Sequence, residues 1–303
     1  MNSLLILFAN NILPIFLAAG AGYLVSKFLG VGPRSISRVA FYVFSPSLIF
    51  RILTTSRLNY NDIYSMVGFT AASILGLGLL TWIIGRSLRL NRQLLVAVVL
   101  TVMFSNSGNY GLSLNLFAFG ESALAYASLY FVTAAILTYT LGVFIASLGS
   151  SSVKKSLVGL IKVPAIYAVG LAFLFNAMKW TLPLPIDRTV NLLADAAIPV
   201  LMVLMGIQLK HTRWDGKTLA LSLSNIMRLV GGPILALGLS VVFGLTGAAR
   251  QAGVTESAMP TAIMMTVLAT EYDVEPSFVT TAVFTSTLLS PLTVTPILAY
   301  LGA

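Results

Sequence analysis

Amide and hydroxyl side chains crowd with glycine into two places where the surrounding sequence is almost wholly apolar. The first is Ser105-Asn106-Ser107-Gly108-Asn109-Tyr110-Gly111, and the second is Glu256-Ser257-Ala258-Met259-Pro260-Thr261. Asparagine amides and serine hydroxyls are donors suited to holding a polar ligand. Pro260 lacks an amide hydrogen and its ring clashes with the preceding helical turn. Gly108 and Gly111 permit backbone conformations that a helix avoids. A helix interrupted at such a string leaves amide and carbonyl groups unpaired, which lipid tolerates only where they line a cavity. Paired interruptions in corresponding positions of two halves point to the binding site of a secondary transporter. If both chains unwind and cross, two half-helix N-termini direct free amides and positive dipole ends at the crossing. That geometry favours a carboxylate or another anion without a Lys or Arg in the pocket. Asn106, Ser107, Asn109, Ser257 and Met259 are the first candidates for direct contact.

Three charges fall inside apolar stretches: Asp195, Arg228 and Glu256. Such charges are expensive and are usually functional or paired. Asp195 and Arg228 are expected to pair. Glu256, next to the second break, is either a proton- or cation-coupling acid or a carboxylate satisfied by backbone amides and water. Pro46 and Pro199 form a second matched pair, read as helix kinks or as pocket lining. Arg51 is expected to snorkel at a helix end. His211, the only histidine, sits in a basic loop and reads as solvated. No cluster has metal-ligand spacing, no phosphate loop is present and no nucleophile elbow occurs, so no metal, cofactor or enzymatic activity is expected.

The elements that must position these residues follow from composition. The chain is 57% hydrophobic and 9% charged, with a mean hydropathy of +0.94. This is the profile of an all-α, polytopic membrane protein. A net charge of +9 carried in short loops reads as topology rather than nucleic-acid binding. Ten stretches have spanning length: about 5–28, 38–55, 63–85, 93–118, 122–148, 158–177, 189–209, 218–244, 249–269 and 276–301. The first is read as a retained helix and not a signal peptide; the second is short, and Pro46 is expected to bend or interrupt it. Pro14 and Gly20 match Pro164 and Gly170, Pro46 matches Pro199, and Ser107 matches Pro260, all in the same order. The chain thus divides into repeats over 1–148 and 158–303, separated by the polar turn Gly149-Ser150-Ser151-Ser152. Five spans per repeat is an odd number, so the repeats are expected to be inverted. Loops after odd-numbered spans hold twelve Lys and Arg, against five after even-numbered ones. That bias puts the odd loops in the cytoplasm and both termini outside.

Phe44-Ser45-Pro46-Ser47-Leu48-Ile49-Phe50, the two interrupted strings, and Thr285-Ser286-Thr287-Leu288-Leu289-Ser290-Pro291-Leu292-Thr293 together resemble the auxin efflux carrier family. The resemblance covers nearly the whole chain and fits a short-loop, prokaryotic-type member. It implies ten helices in two inverted five-helix repeats, with a scaffold of helices 1, 2, 6 and 7. It implies a transport domain of helices 3–5 and 8–10 that moves as an elevator, and a homodimer through the scaffold. It also implies a substrate site where broken helices 4 and 9 cross at mid-membrane, which points here to Asn106, Ser107, Gly108, Asn109 and Pro260. One departure is Ser113, where the family often has proline. The reading is an inner-membrane carrier of small organic anions, indole acids or carboxylates such as malate. A cation-coupled carrier using Glu256 and a non-transporting anion receptor are the alternatives.

Overall fold

The computed structural model describes residues 2–55, 60–147, 164–210 and 216–303. In chain order the helices are α1 (Leu4–Leu29), α2 (Pro33–Thr55), α3 (Asn61–Ser87), α4 (Arg92–Met103), α5 (Ser107–Ser147), α6 (Ile166–Met178), α7 (Leu184–Leu209), α8 (Thr218–Val242), α9 (Gly247–Ala258), α10 (Met264–Glu271) and α11 (Pro276–Tyr300). Seven of them, α1, α2, α3, α5, α7, α8 and α11, are long and apolar enough to cross a bilayer. No strand is named among the described residues; a single β-bridge joins Ser105 to Thr261. Large apolar side chains such as Leu17, Leu192, Val241 and Leu292 lie exposed on the outside, as a lipid solvent requires. The basic loop residues Arg57, Lys154, Lys155, Lys162 and Arg213, the turn at 149–152 and His211 lie outside the described residues.

The stretch expected at 93–118 is α4 plus the first arm of α5, and the one at 249–269 is α9 plus α10. α5 turns a corner at Gly120, whose φ of 77° and ψ of −168° suit glycine alone, and its second arm covers the stretch expected at 122–148.

Among the described residues four helices contain five π turns, at 8–12, 40–44, 107–111, 138–142 and 227–231, two of them in α5. Three of these share a cause. The amides closing the wide turns belong to Leu13, Ser45 and Gly232, each immediately before a proline (Pro14, Pro46 and Pro233). A proline ring collides with the carbonyl four residues back, and widening the turn moves that carbonyl aside. Of the two expectations for Pro46, a bend or an interruption, the interruption is corrected: α2 runs on through Pro46 by this device.

α1, α2, α6 and α7 pack principally on one another, while α3, α4, α5, α8, α9 and α11 form a second set. The α1–α7 contact is backbone on backbone. A Cβ on Gly206 would strike the Ala19 carbonyl, and one on Gly22 the Val203 carbonyl. Small residues allow such approach where burial from water drives nothing. Gly206→Ala should therefore cost about 1–3 kcal/mol by overpacking, read as a lower midpoint of thermal unfolding in detergent. Gly20→Ala, which meets nothing within 4 Å, should leave that midpoint unchanged or raise it.

Candidate functional site

The site begins where α4 and α9 stop. Phe104 turns extended (φ −106°, ψ 112°) after Met103, and Met259 does so (φ −64°, ψ 148°) after Ala258. For Met259 the cause is local, since a residue preceding proline is pushed out of the helical region. The two extended tracts then lie antiparallel. Asn106 N donates to the Pro260 carbonyl at 2.7 Å and Ala262 N to the Phe104 carbonyl at 2.8 Å. The unwound segments thus satisfy part of each other's backbone. Thr261 adds two ties, its amide to Ser286 Oγ (3.1 Å) and its hydroxyl to the Thr101 carbonyl (2.8 Å).

Arg228 binds the carbonyl ends of both broken helices. Its Nη1 donates to the carbonyls of Val102 (2.6 Å) and Met103 (3.5 Å) on α4, and its Nη2 to that of Ser257 on α9. It is 2% exposed. Helix C-termini carry unpaired carbonyls and partial negative charge, so one guanidinium between two of them is compensated without a carboxylate. The expected Asp195–Arg228 pair is therefore corrected: it does not form. Asp195 lies exposed on α7 and pairs with Arg51 of α2, whose Nη1 also reaches the Asn191 carbonyl at 3.4 Å. Arg51 is accordingly an ion-pair partner and not a free snorkelling end.

Glu256 is fully buried on α9. Asn115 of α5 donates one amide to Glu256 Oε1 (3.0 Å) and to the Gly111 carbonyl (2.9 Å). Glu256 Oε2 and Asn115 Oδ1 have no hydrogen-bond partner among the described residues. Gly111 has an ordinary helical backbone (φ −62°, ψ −48°), and a Cβ there would run into the Glu256 carboxyl. Gly108 likewise lacks a positive φ, and its Cβ would stand 2.8 Å from the Phe131 ring. Both glycines thus leave room for a neighbouring side chain, and the idea that they unwind the chain through conformational freedom is corrected. Ser113, at the family's proline position, donates its hydroxyl to the Asn109 carbonyl at 3.3 Å.

A cavity of about 1070 Å³ runs from the two breaks to the start of α2 at Pro33–Arg38 and to the α10 and α11 ends at Glu271 and Pro276. Asn106, Ser107, Gly108 and Asn109 line it from the first break, and Ala262, Ile263 and Met264 from the second. The amide hydrogens of Gly108, Asn109, Ile263 and Met264 have no acceptor among the described residues. They belong to the N-terminal starts of α5 and α10. Ser257, Met259 and Pro260 do not line the cavity. Ser257 faces Arg228 and Tyr130, Met259 is wholly buried, and Pro260 gives only its carbonyl to Asn106. Ser45 lines the wall beside Pro46, whereas Pro199 is exposed away from it. Sequence reasoning passed over Asn115 and Gln208; a lone asparagine between Leu114 and Leu116 was the available signal for the first.

The sequence pattern described as membrane transport protein matches residues 7–298. The chain is 27% identical over 289 residues to an uncharacterized transporter of Methanothermobacter thermautotrophicus, covering 93% of this chain and 94% of that one. It is 25% identical over 296 residues to one from Methanocaldococcus jannaschii, covering 93% and 95%. Auxin efflux carrier component 6 of Arabidopsis thaliana is 27% identical over 133 residues, which are 42% of this chain and 23% of that protein.

Arg228→Met should strand three buried carbonyls at about 1–3 kcal/mol each and abolish the folded protein or sharply lower its thermal midpoint. Asp195→Asn, at an exposed pair, should shift stability by less than about 1 kcal/mol. Thermal unfolding in detergent compares the two directly.

Proposed function

The chain belongs to the membrane transport protein family, that of the auxin efflux carriers, and on that premise we propose that it is a secondary carrier of small organic anions. Indole acids of the auxin kind and carboxylates such as malate are the substrate classes. One observation carries this reading: four unbonded amides, from two helix starts, line the same cavity beside Asn106 and Asn109. Such groups stabilise a carboxylate through hydrogen bonds and dipole ends.

The carrier has ten spans in two inverted repeats, 1–148 and 158–303, with α4/α5 and α9/α10 supplying the interrupted ones. α1, α2, α6 and α7 serve as the scaffold, and the remaining helices move the site across the membrane as an elevator. The cavity reaches helix ends on the side that the basic-residue bias assigns to the cytoplasm, which supports reading this conformation as inward-facing. The protein resides in the bacterial inner membrane with both termini outside, and dimerises through the scaffold.

A second reading concerns coupling. Glu256 is a buried carboxyl with one oxygen unpartnered, a group that gains or loses a proton or cation at high energetic leverage. On this reading Glu256→Gln transports but loses dependence on the pH or sodium gradient.

Asn109→Ala should reduce saturable anion flux in proteoliposomes by roughly 10–100-fold, the worth of a hydrogen bond to a charged group, with folding retained. Unchanged flux would sink the site assignment. Ligand binding by the wild type without any net flux would make it a receptor.

A further inference from the structure

Four side chains meet where the start of α5 faces α7. Asn106 and Asn109 are three residues apart on one side; Met205 and Gln208 are three apart on the other, hence on one helical face. They pair one to one. Asn106 Nδ2 lies 3.9 Å from Met205 Sδ, and Asn109 Nδ2 donates to Gln208 Oε1 at 3.2 Å. Gln208 Nε2 donates onward to Ser37 Oγ of α2 at 3.4 Å. Asn109, Gln208 and Ser37 line the cavity, with Met205 buried behind.

A thioether is a weak acceptor and a neutral amide oxygen an ordinary one, whereas a carboxylate oxygen forms bonds about twice as strong. Both asparagine amides are thus occupied by acceptors weaker than the anion of the proposed function. An anionic oxygen brought to either amide meets the lone pairs of the resident acceptor, so the two cannot remain together. Resting on that anion-carrier reading, we propose that Met205 and Gln208 are tethered stand-ins for the two oxygens of a carboxylate substrate, which displaces them on binding.

Two consequences follow from the connectivity. Substrate affinity is lowered by the work of removing the stand-ins. The chain Asn109–Gln208–Ser37 ties the first break to α7 and α2 only while the site is empty, so binding also unfastens the set containing the break from the set containing α7. Gln208 is in this sense a specificity-determining residue: a ligand whose polar group accepts no better than a neutral amide does not dislodge it.

The test is the KM for labelled malate and labelled indole-3-acetate in proteoliposomes, with thermal unfolding alongside. Gln208→Met keeps length and bulk but removes the acceptor, and should lower KM by about 3–10-fold, the range for one neutral hydrogen bond, with turnover retained. Gln208→Glu places a tethered carboxylate on Asn109 and should raise KM at least 10-fold. Ser37→Ala, which cuts the chain one link further back, should lower KM by less than Gln208→Met and serves where that variant fails to fold. A raised KM in Gln208→Met makes Gln208 a substrate ligand and overturns the proposal. Equal KM values in all three variants and the wild type overturn it too. Absence of saturable uptake by the wild type defeats the anion-carrier reading itself, and is seen before any variant is made.

Discussion

Arg228 between the carbonyl ends of α4 and α9 is the interaction on which the rest of the site depends. Breaking two helices in an apolar interior creates two carbonyl ends and two amide ends. The carbonyl ends are compensated internally, by Arg228, by Thr261 and by the reciprocal bonds of the extended tracts. The amide ends of α5 and α10 are left open on a cavity. An asymmetric result follows from symmetric breaks: negative partial charge is neutralised within the protein, and positive partial charge is left facing the space a solute can enter. A lysine would supply the charge but not the planar fork that reaches two helices at once.

The buried carboxyl of Glu256 belongs to the same construction. It sits one residue before the Ser257 carbonyl that Arg228 holds, and Asn115 reaches it from the arm that begins at the first break. Gly111 makes room for it. The cation and the acid are therefore held by different neighbours rather than by each other. Each keeps polar atoms without partners, Arg228 Nε and Glu256 Oε2, and the low-dielectric surroundings make such atoms costly.

Much of this was legible in the amino-acid sequence because its signals are local. Pro260 and the asparagine string mark the two breaks, and apolar runs mark the long helices. What was not legible depends on distance between elements. Asp195 and Arg228 are both rare intramembrane charges, and nothing local says that α7 offers Asp195 to α2 while Arg228 turns toward carbonyls. Backbone acceptors are invisible to reasoning that matches one charge with another. The glycines misled for a related reason, since Gly108 and Gly111 are there to admit Phe131 and Glu256, contacts made by residues 23 and 145 positions away.

The π turn at 107–111 has a bearing on how such chains change length over evolutionary time. A π turn holds one residue more than an α turn, so it is equivalent to a one-residue insertion absorbed by the helix. Losing a single residue from 107–111 would restore regular winding and rotate everything beyond it by about 100°. Asn115 would then swing off Glu256, although no residue in contact with the acid had been altered. Length matters here for a reason of phase: the break and the carboxyl are kept in angular step by one extra residue in the turn.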